Sequence, residues 1–427
     1  MKILVLSNLY PPDVIGGYEQ GCKQVVDALR AKGHEVRVVT SAPRKPVAGE
    51  AHVARKLQLS EVWNDYMFQH SSPVISHLVE SESNLVNAFN VHALSREIED
   101  FKPDVAYIWM IVGIGGLALM ATLQHLGVPW LWHLMDDVPL DLCKLGGQRV
   151  STLLEEVDRQ LEGRFLACSR QLVDEIEAGG VRLRPDVDIV PNWVIGQAPP
   201  ERTRFFDPTN GDTLRIVAAG QINRNKGSDL IIETASRLRD RGYDQFEIEF
   251  FGNVDDAYFP ALVKARDVQK FVIFRGFLPQ ADLVSLYLDR DVFLFPTWPR
   301  EPFAFAPLEA SWRGCVPLMS QLCGNAEWFV SGVHCLKAER EPDAFADSIA
   351  GILEGTTDLG SIARRGASMI GRDFHLDRQI LKIERALDRA SRKVRASAIG
   401  TSGEAYRMAL LAEKLTKVLV QESMPAA

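Results

Sequence analysis

The chain has little with which to build disulfides, hold zinc or cross a membrane. Its six cysteines (Cys22, Cys143, Cys168, Cys315, Cys323 and Cys335) are scattered, and no two stand at C-x-x-C spacing. They read as small buried residues in a reducing compartment, not as a disulfide frame or a zinc site. No apolar run reaches the length of a bilayer span. The nearest, GIGGLALMATL from Gly113 to Leu123, is broken by glycine and reads as a helix bounded by His125. The opening MKILVLS carries one lysine and too short an apolar stretch for a secretory leader. A cytoplasmic protein is expected. Basic residues are also in deficit, 48 Lys and Arg against 56 Asp and Glu for a net charge of −8, so no nucleic-acid partner is expected. What is present is 46% hydrophobic content over 427 residues, enough for two or three soluble domains with real cores.

The pattern is α/β. Ile3 to Ser7 is an apolar run, followed by NLYPPDVIGG and then YEQGCKQVVDALRAKG. In the last piece Cys22, Val25, Val26 and Leu29 share a helical face and Gly33 supplies the stop. HEVRVVT (34–40) is a second strand. The loop before the helix carries Gly16 and Gly17 but not G-x-G-x-x-G, so a dinucleotide site gains little support. The pair is either a plain turn or a place where backbone N–H groups approach an anion. Further strands are expected at 104–110, 129–135, 165–169 and 187–192. The stretch 42–90 reads either as an insertion on the sheet or, through Trp63, Tyr66, Phe68 and its histidines His52, His70 and His77, as an acceptor-binding wall.

IGQAPPERTRFFDPTNGD (195–212) is rich in Pro, Gly and charge and is the linker candidate. The pattern then restarts: RIVAAG, FEIEFFG, FVIFRG and DVFLFP read as strands with helices between. Two successive α/β domains are therefore expected, with the site in the cleft between them. Their limits are placed at 1–196, a linker at 197–212, then 213–375, and closing helices over 376–427, one of them at Glu404–Gln421. From Ser361 to Gly400 basic residues outnumber acidic ones ten to four. That stretch is either a membrane-surface patch or a solvated helical face.

Two glutamates, Glu301 and Glu309, stand eight residues apart in EPFAFAPLEASWRG. Helical spacing runs from Phe303 to Arg313, and Gly314 is a plausible cap. Glu301 then lies in a loop beyond a strand's carboxyl end, where open α/β sheets place ligands. Glu309 lies about two turns along the helix, whose amino end is left for an anion. In AAGQINRNKGSDL, Lys226 precedes a helix and can neutralise a diphosphate. Asp186-Val187-Asp188 opens a strand, and a metal reading is rejected.

The ordered set of motifs over about residues 1–375 resembles glycosyltransferase family 4, retaining enzymes of the two-Rossmann-domain GT-B fold. YPPDVIGG with LRAKGHEVRVVTS looks like its amino-terminal signature, and Glu301 and Glu309 like its E-x7-E. The family usually reads E-G-F-G where this chain has Glu301-Pro302-Phe303-Ala304, and Pro-Asn-Gly where it has Pro191-Asn192-Trp193. The family's His-Asp falls on Met135 and Asp136. His133, two residues back on the same face, either takes over from that histidine or is a hydrogen-bonded core residue. Gln221 stands where the G-R-x-x-x-x-K-G arginine is expected, and Arg224 can supply the charge from the same loop.

The resemblance implies transfer of a sugar from a nucleotide-diphosphate sugar, UDP or GDP type, to a hydroxyl on a glycan, a lipid-linked molecule or a small molecule, with no tightly bound cofactor and no metal. It implies catalytic roles for Glu301, Lys226, Asp136 and His133. Donor contacts fall on Gly16, Gly17, Arg224, Lys226, Phe303, Ala304, Phe305, Glu309, Gly324 and Asn325. It also implies closing helices that cross back onto the first domain, and peripheral membrane contact is one option. Two alternatives stay open: a phosphorylase or epimerase on the same fold, and a non-catalytic nucleotide-sugar-binding or scaffold protein.

Overall fold

A computed structural model of the chain describes residues 1–43, 46, 48–60, 73–160, 162–183, 187–254 and 256–392. Trp63, Tyr66, Phe68 and His70 of the candidate acceptor wall, and the helix expected at Glu404–Gln421, lie outside the described residues. Backbone contacts divide the chain into two units. The first is Met1–Cys168 with Leu172–Val190 and Ile380–Ala427; the second is Ser169–Gln171 with Pro191–Gln379.

The first unit is built on strands β1 (Lys2–Ser7), β2 (Glu35–Ser41), β3 (Val53–Leu57), β4 (Val105–Met110) and β5 (Trp130–Leu134), a small hairpin β6 (Lys144–Leu145) and β7 (Gln148–Arg149), then β8 (Arg164–Ala167) and β9 (Asp188–Ile189). Seven of them form one parallel sheet in the order β3-β2-β1-β4-β5-β8-β9. All six residues of β4 and five of six in β1 are buried, as expected of parallel strands covered on both faces, which read as continuous apolar runs. Helices α1 (Gly17–Ala31), α2 (Pro73–Asn84), α3 (Ala88–Phe101), α4 (Gly116–His125), α5 (Val138–Asp141), α6 (Ser151–Gln160) and α7 (Arg170–Ala178) connect them. The strand expected over 187–192 pairs for only two residues, because Pro191 has no N–H to give a ladder.

The second unit carries a six-stranded parallel sheet in the order β12-β11-β10-β13-β14-β15. Its strands are β10 (Leu214–Ala219), β11 (Phe246–Phe251), β12 (Val272–Gly276), β13 (Val292–Phe295), β14 (Val316–Ser320) and β15 (Leu336–Ala338). Its helices are α8 (Ser228–Asp240), α9 (Tyr258–Ala265), α10 (Gln280–Leu286), α11 (Ala306–Trp312), α12 (Pro342–Leu353) and α13 (Leu359–Asp373). Ile216, Ile248, Phe250, Leu294 and Leu318 from the sheet pack with Ile231, Phe345 and Ile349 from the helices. Both sheets reverse their order beside their first strand, between β1 and β4 and between β10 and β13. Such a switch point opens a crevice at the strands' carboxyl ends.

Residues 195–212, read as a linker, lie within the second unit. The Arg202 guanidinium pairs with Asp291 and donates to the Arg290 and Gly314 carbonyls. Helix α14 (Leu376–Ser391) follows α13, and its residues from Ile380 onward belong to the first unit. There Glu384 meets His34 Nε2 at 2.8 Å and Lys32 Nζ at 3.2 Å, and Arg389 pairs with Asp188. Of the ten basic residues in this region, Arg372, Arg378, Arg389 and Arg392 stand in ion pairs. No helix among the described residues is long and apolar enough to cross a membrane.

Candidate active site

In the second unit Lys226 lies in the turn after β10 and Glu301 in the loop after β13. The two side chains meet in an ion pair beside the switch point. Glu301 is buried, and its Oε2 also accepts from Thr297 Oγ1 at 3.1 Å. The Lys226 N–H donates to Asn223 Oδ1 at 2.9 Å, closing the turn. Gly227 then turns into α8 with φ +76°, and a Cβ there would fall 2.3 Å from the Pro296 carbonyl oxygen. Only glycine fits that close approach in a left-handed conformation. A cation and a carboxylate are thus delivered to one point by two adjacent strands.

The segment from Pro302 to Phe305 is not helical, contrary to the expected helix over Phe303–Arg313; α11 begins at Ala306. Side chains claim the backbone groups that a helix would use. Asn192 Nδ2 donates to the Phe303 carbonyl at 2.6 Å. Asn325 Oδ1 accepts from the Ala304 N–H at 2.8 Å, and its Nδ2 donates to the Ala304 carbonyl at 2.9 Å. Glu309 therefore sits in the first turn of α11 rather than two turns along it. It is half-buried, and Gln280 Nε2 donates to its Oε1 at 2.7 Å. Burial raises its pKa, against the opposing pull of Gln280 and the Arg313 charge. Phe303 stacks on Phe374 at 6.1 Å, and Phe305 meets the buried Trp193 edge-on at 5.7 Å.

Two expected anion contacts are otherwise engaged. The Gly324 N–H donates to the Glu301 carbonyl at 2.9 Å, and a Cβ at Gly324 would lie 1.5 Å from the Pro302 oxygen. Gly324 and Asn325 brace the loop that carries Glu301. Arg224, the candidate replacement for the arginine missing at Gln221, lays its guanidinium 4.5 Å above the Tyr258 ring.

In the first unit the amino end of α1 is also taken. Glu19 accepts from the Ile15 and Gly16 N–H groups at 3.3 and 3.1 Å. A carboxylate from the chain thus stands where an anion was expected at Gly16 and Gly17. A Glu at the third helical position is the capping-box signal, and it was readable in G-G-Y-E.

His133 is fully buried. Its Nδ1 lies 2.7 Å from the Tyr107 hydroxyl and its Nε2 3.3 Å from the Val190 carbonyl. Nε2 must carry the proton to donate to that carbonyl; burial keeps the ring neutral, so Nδ1 accepts from the Tyr107 hydroxyl. Burial pushes its pKa down to about 4. The core reading fits this placement; a ligand-contacting role does not.

Asp136 stands at the carboxyl end of β5, partly exposed, beside buried Asp137 and Asp141. Burial, then the Asp137 charge, pushes the Asp136 carboxyl up to about 8. Arg149 pairs with Asp137 at 3.4 Å and Lys144 with Asp141. The Tyr18 hydroxyl, in the first turn of α1, is buried without a hydrogen-bond partner among the described residues, and Asp136 is the strongest charge acting on it. Sequence reasoning gave no role to Tyr18, Gln280 and Thr297, whose local spacing marks none of them, and gave none to Asn192, although it stands in the Pro191-Asn192-Trp193 motif.

The chain is similar to known proteins in sequence and in fold. Residues 200–368 match the family model described as glycosyl transferases group 1, and residues 16–193 that of a glycosyl transferase 4-like domain. The WcaI protein of Escherichia coli K12, a glycosyl transferase provisionally named for colanic acid biosynthesis, is 28% identical over 272 residues, 56% of this chain and 63% of its own length. That match spans less than two thirds of the relative. Among solved structures, sucrose-phosphate synthase from Thermosynechococcus elongatus superposes with a TM-score of 0.66 at 17% identity, over 91% of this chain and 98% of its own. HepE of Anabaena, solved with UDP and glucose, gives 0.64 at 16% identity over 91% of this chain and all of its own. At these identities the likeness is one of fold, the two-Rossmann-domain GT-B fold.

Proposed function

The chain belongs to the group 1 glycosyl transferases, and we propose that it is a retaining, metal-independent member using a nucleotide-diphosphate sugar as donor. The observation that carries this reading is the meeting of Lys226 and Glu301 at the switch point of the second unit, with Glu309 on the helix behind. The cation neutralises the diphosphate as the glycosidic bond breaks. Glu301 faces the donor sugar and stabilises the positive charge that develops on its anomeric carbon. Glu309 accepts from the two ribose hydroxyls.

The bond from the anomeric carbon to the phosphate oxygen breaks, and the acceptor oxygen bonds to the same face of that carbon. The acceptor's proton passes to the departing phosphate oxygen, so neither a protein base nor a metal is needed. Lys226 supplies the charge for which another enzyme would use a divalent ion. The second unit binds the donor and the first the acceptor, with Asp136 and Tyr18 as the polar groups at its own switch-point edge. The UDP and glucose of the HepE complex favour a uridine donor. The name of WcaI favours an acceptor used in polysaccharide assembly.

The test is nucleotide release from UDP-, GDP- and ADP-sugars with hydroxyl acceptors in the presence of EDTA, and the anomeric coupling constant of the product. Acceptor-dependent release with the donor's configuration kept is expected. Inversion, or a strict need for a divalent ion, would contradict the mechanism. Release that requires phosphate, or donor turnover without acceptor, would assign a phosphorylase or an epimerase. Binding without turnover would assign a scaffold.

A further inference from the structure

We propose that Gln280 is a positioning residue that aims Glu309 at a ribose diol, making the donor site selective for ribonucleotides over 2′-deoxyribonucleotides. The inference rests on the reading of Glu309 given above. Gln280 opens α10, far from α11 in sequence, and its own side chain is exposed. Its Nε2 nevertheless donates to Glu309 Oε1 at 2.7 Å. Glu309 Oε2 takes no hydrogen bond among the described residues. Each carboxylate oxygen can accept two hydrogen bonds, so Oε1 keeps one acceptor site and Oε2 keeps both. Two adjacent hydroxyls can therefore bridge the carboxylate while Gln280 fixes its rotation.

The surroundings call for such a device. Glu309 is half-buried, and burial alone favours its protonated form, which would donate where an acceptor is wanted. Arg313, at the end of the same helix, and Tyr287, just past α10, are the ionisable groups that face it. The Tyr287 hydroxyl is fully buried and has no hydrogen-bond partner among the described residues. Gln280 is then the one neutral donor that reaches Glu309 in the described structure, and it acts on both the angle and the charge of the carboxylate.

The test is calorimetric titration of UDP, GDP, ADP and their 2′-deoxy counterparts into wild type, Gln280→Met and Glu309→Gln. Methionine keeps the length of glutamine and removes the donor. Wild type should prefer the ribonucleotide by about tenfold, the worth of one hydrogen bond to a charged group. Gln280→Met should lose about that factor for the ribonucleotide and little for the deoxynucleotide. Its ribonucleotide binding should also fail at a higher pH on acidification than that of wild type, which a merely structural role would not produce. If Gln280→Met keeps the full preference while Glu309→Gln abolishes it, the positioning role is overturned and Glu309 stands. If wild type ignores the 2′-hydroxyl, or binds no nucleotide, the reading of Glu309 itself fails.

Discussion

Asn325 pairs with the backbone of Ala304 as a neighbouring strand would, accepting its N–H at 2.8 Å and donating to its carbonyl at 2.9 Å. With Asn192 on the Phe303 carbonyl, three side-chain bonds fix the stretch between the two glutamates. This is where the family reads E-G-F-G and this chain has Pro302 and Ala304. Trp193, in place of the family's glycine, packs against Phe305 of the same stretch. The departures at Pro302, Ala304 and Trp193 sit together, and this packing gives a loop without the family's glycines a defined path.

Asn325→Leu should therefore cost about 2 kcal/mol, from two lost hydrogen bonds to the half-buried backbone of Ala304. Urea unfolding measures it. The donor KM should rise as well, since the spacing between Glu301 and Glu309 is no longer held. A loss below about 0.5 kcal/mol would show that the pairing is not made in solution.

Gly324→Ala and Gly227→Ala should each lower stability by about 2 kcal/mol or more. A Cβ at the first would meet the Pro302 carbonyl oxygen, and at the second the Pro296 carbonyl oxygen. Gly332, at positive φ like Gly227 but with nothing near its Cβ position, serves as the control, and Gly332→Ala should cost less. Thermal melting of the three variants decides the order.

Lys226→Ala should reduce kcat about a thousandfold. A cation about 4 Å from the leaving phosphate at an effective dielectric near 20 is worth about 4 kcal/mol, and about 1.4 kcal/mol is a factor of ten. Lys226→Arg should recover part of the rate, because the charge survives while the pairing with Glu301 is reshaped. Steady-state kinetics with saturating donor check both.

Asp136 should make stability fall with rising pH. Its carboxyl is pushed up to about 8 in the folded protein, whereas an unfolded aspartate titrates near ~3.9. Between about pH 4 and pH 8 the folded chain holds a proton that the unfolded chain has released. The contribution is thus fully present below pH 4 and lost as pH rises through about 8. Asp136→Asn is neutral throughout and should flatten that slope in unfolding free energy. An unchanged slope would place the titration elsewhere.

Strands such as Ile3–Ser7 and Val292–Phe295 were legible because a parallel strand buried on both faces leaves an unbroken apolar run. Motif order singled out Lys226 and Glu301, and the structure brings those two side chains into one ion pair; their roles, and that of Glu309, belong to the proposal. The start of α11 was legible only in part: Pro307 in its first turn has no N–H to give the Phe303 carbonyl, but the bonds that Asn192 and Asn325 make to Phe303 and Ala304 come from residues remote in sequence. Gln280 was hidden for the same reason. Glu19 was legible and overlooked, since a glutamate three residues after Gly16 is a local capping signal. His133 could not be decided from the sequence, because its alternatives differ only in whether Tyr107 and Val190 enclose the ring.

The most direct test is thermal stability with UDP, GDP, ADP and their common sugars, on wild type and Glu309→Ala. A ligand at a hundred times its dissociation constant adds about 2.7 kcal/mol to the folded state. Stabilisation by one nucleotide and its sugars, lost in Glu309→Ala, is the expected result and identifies the donor base. No shift with any nucleotide, or a shift that survives the substitution, would contradict the assignment of the donor site to Lys226, Glu301 and Glu309.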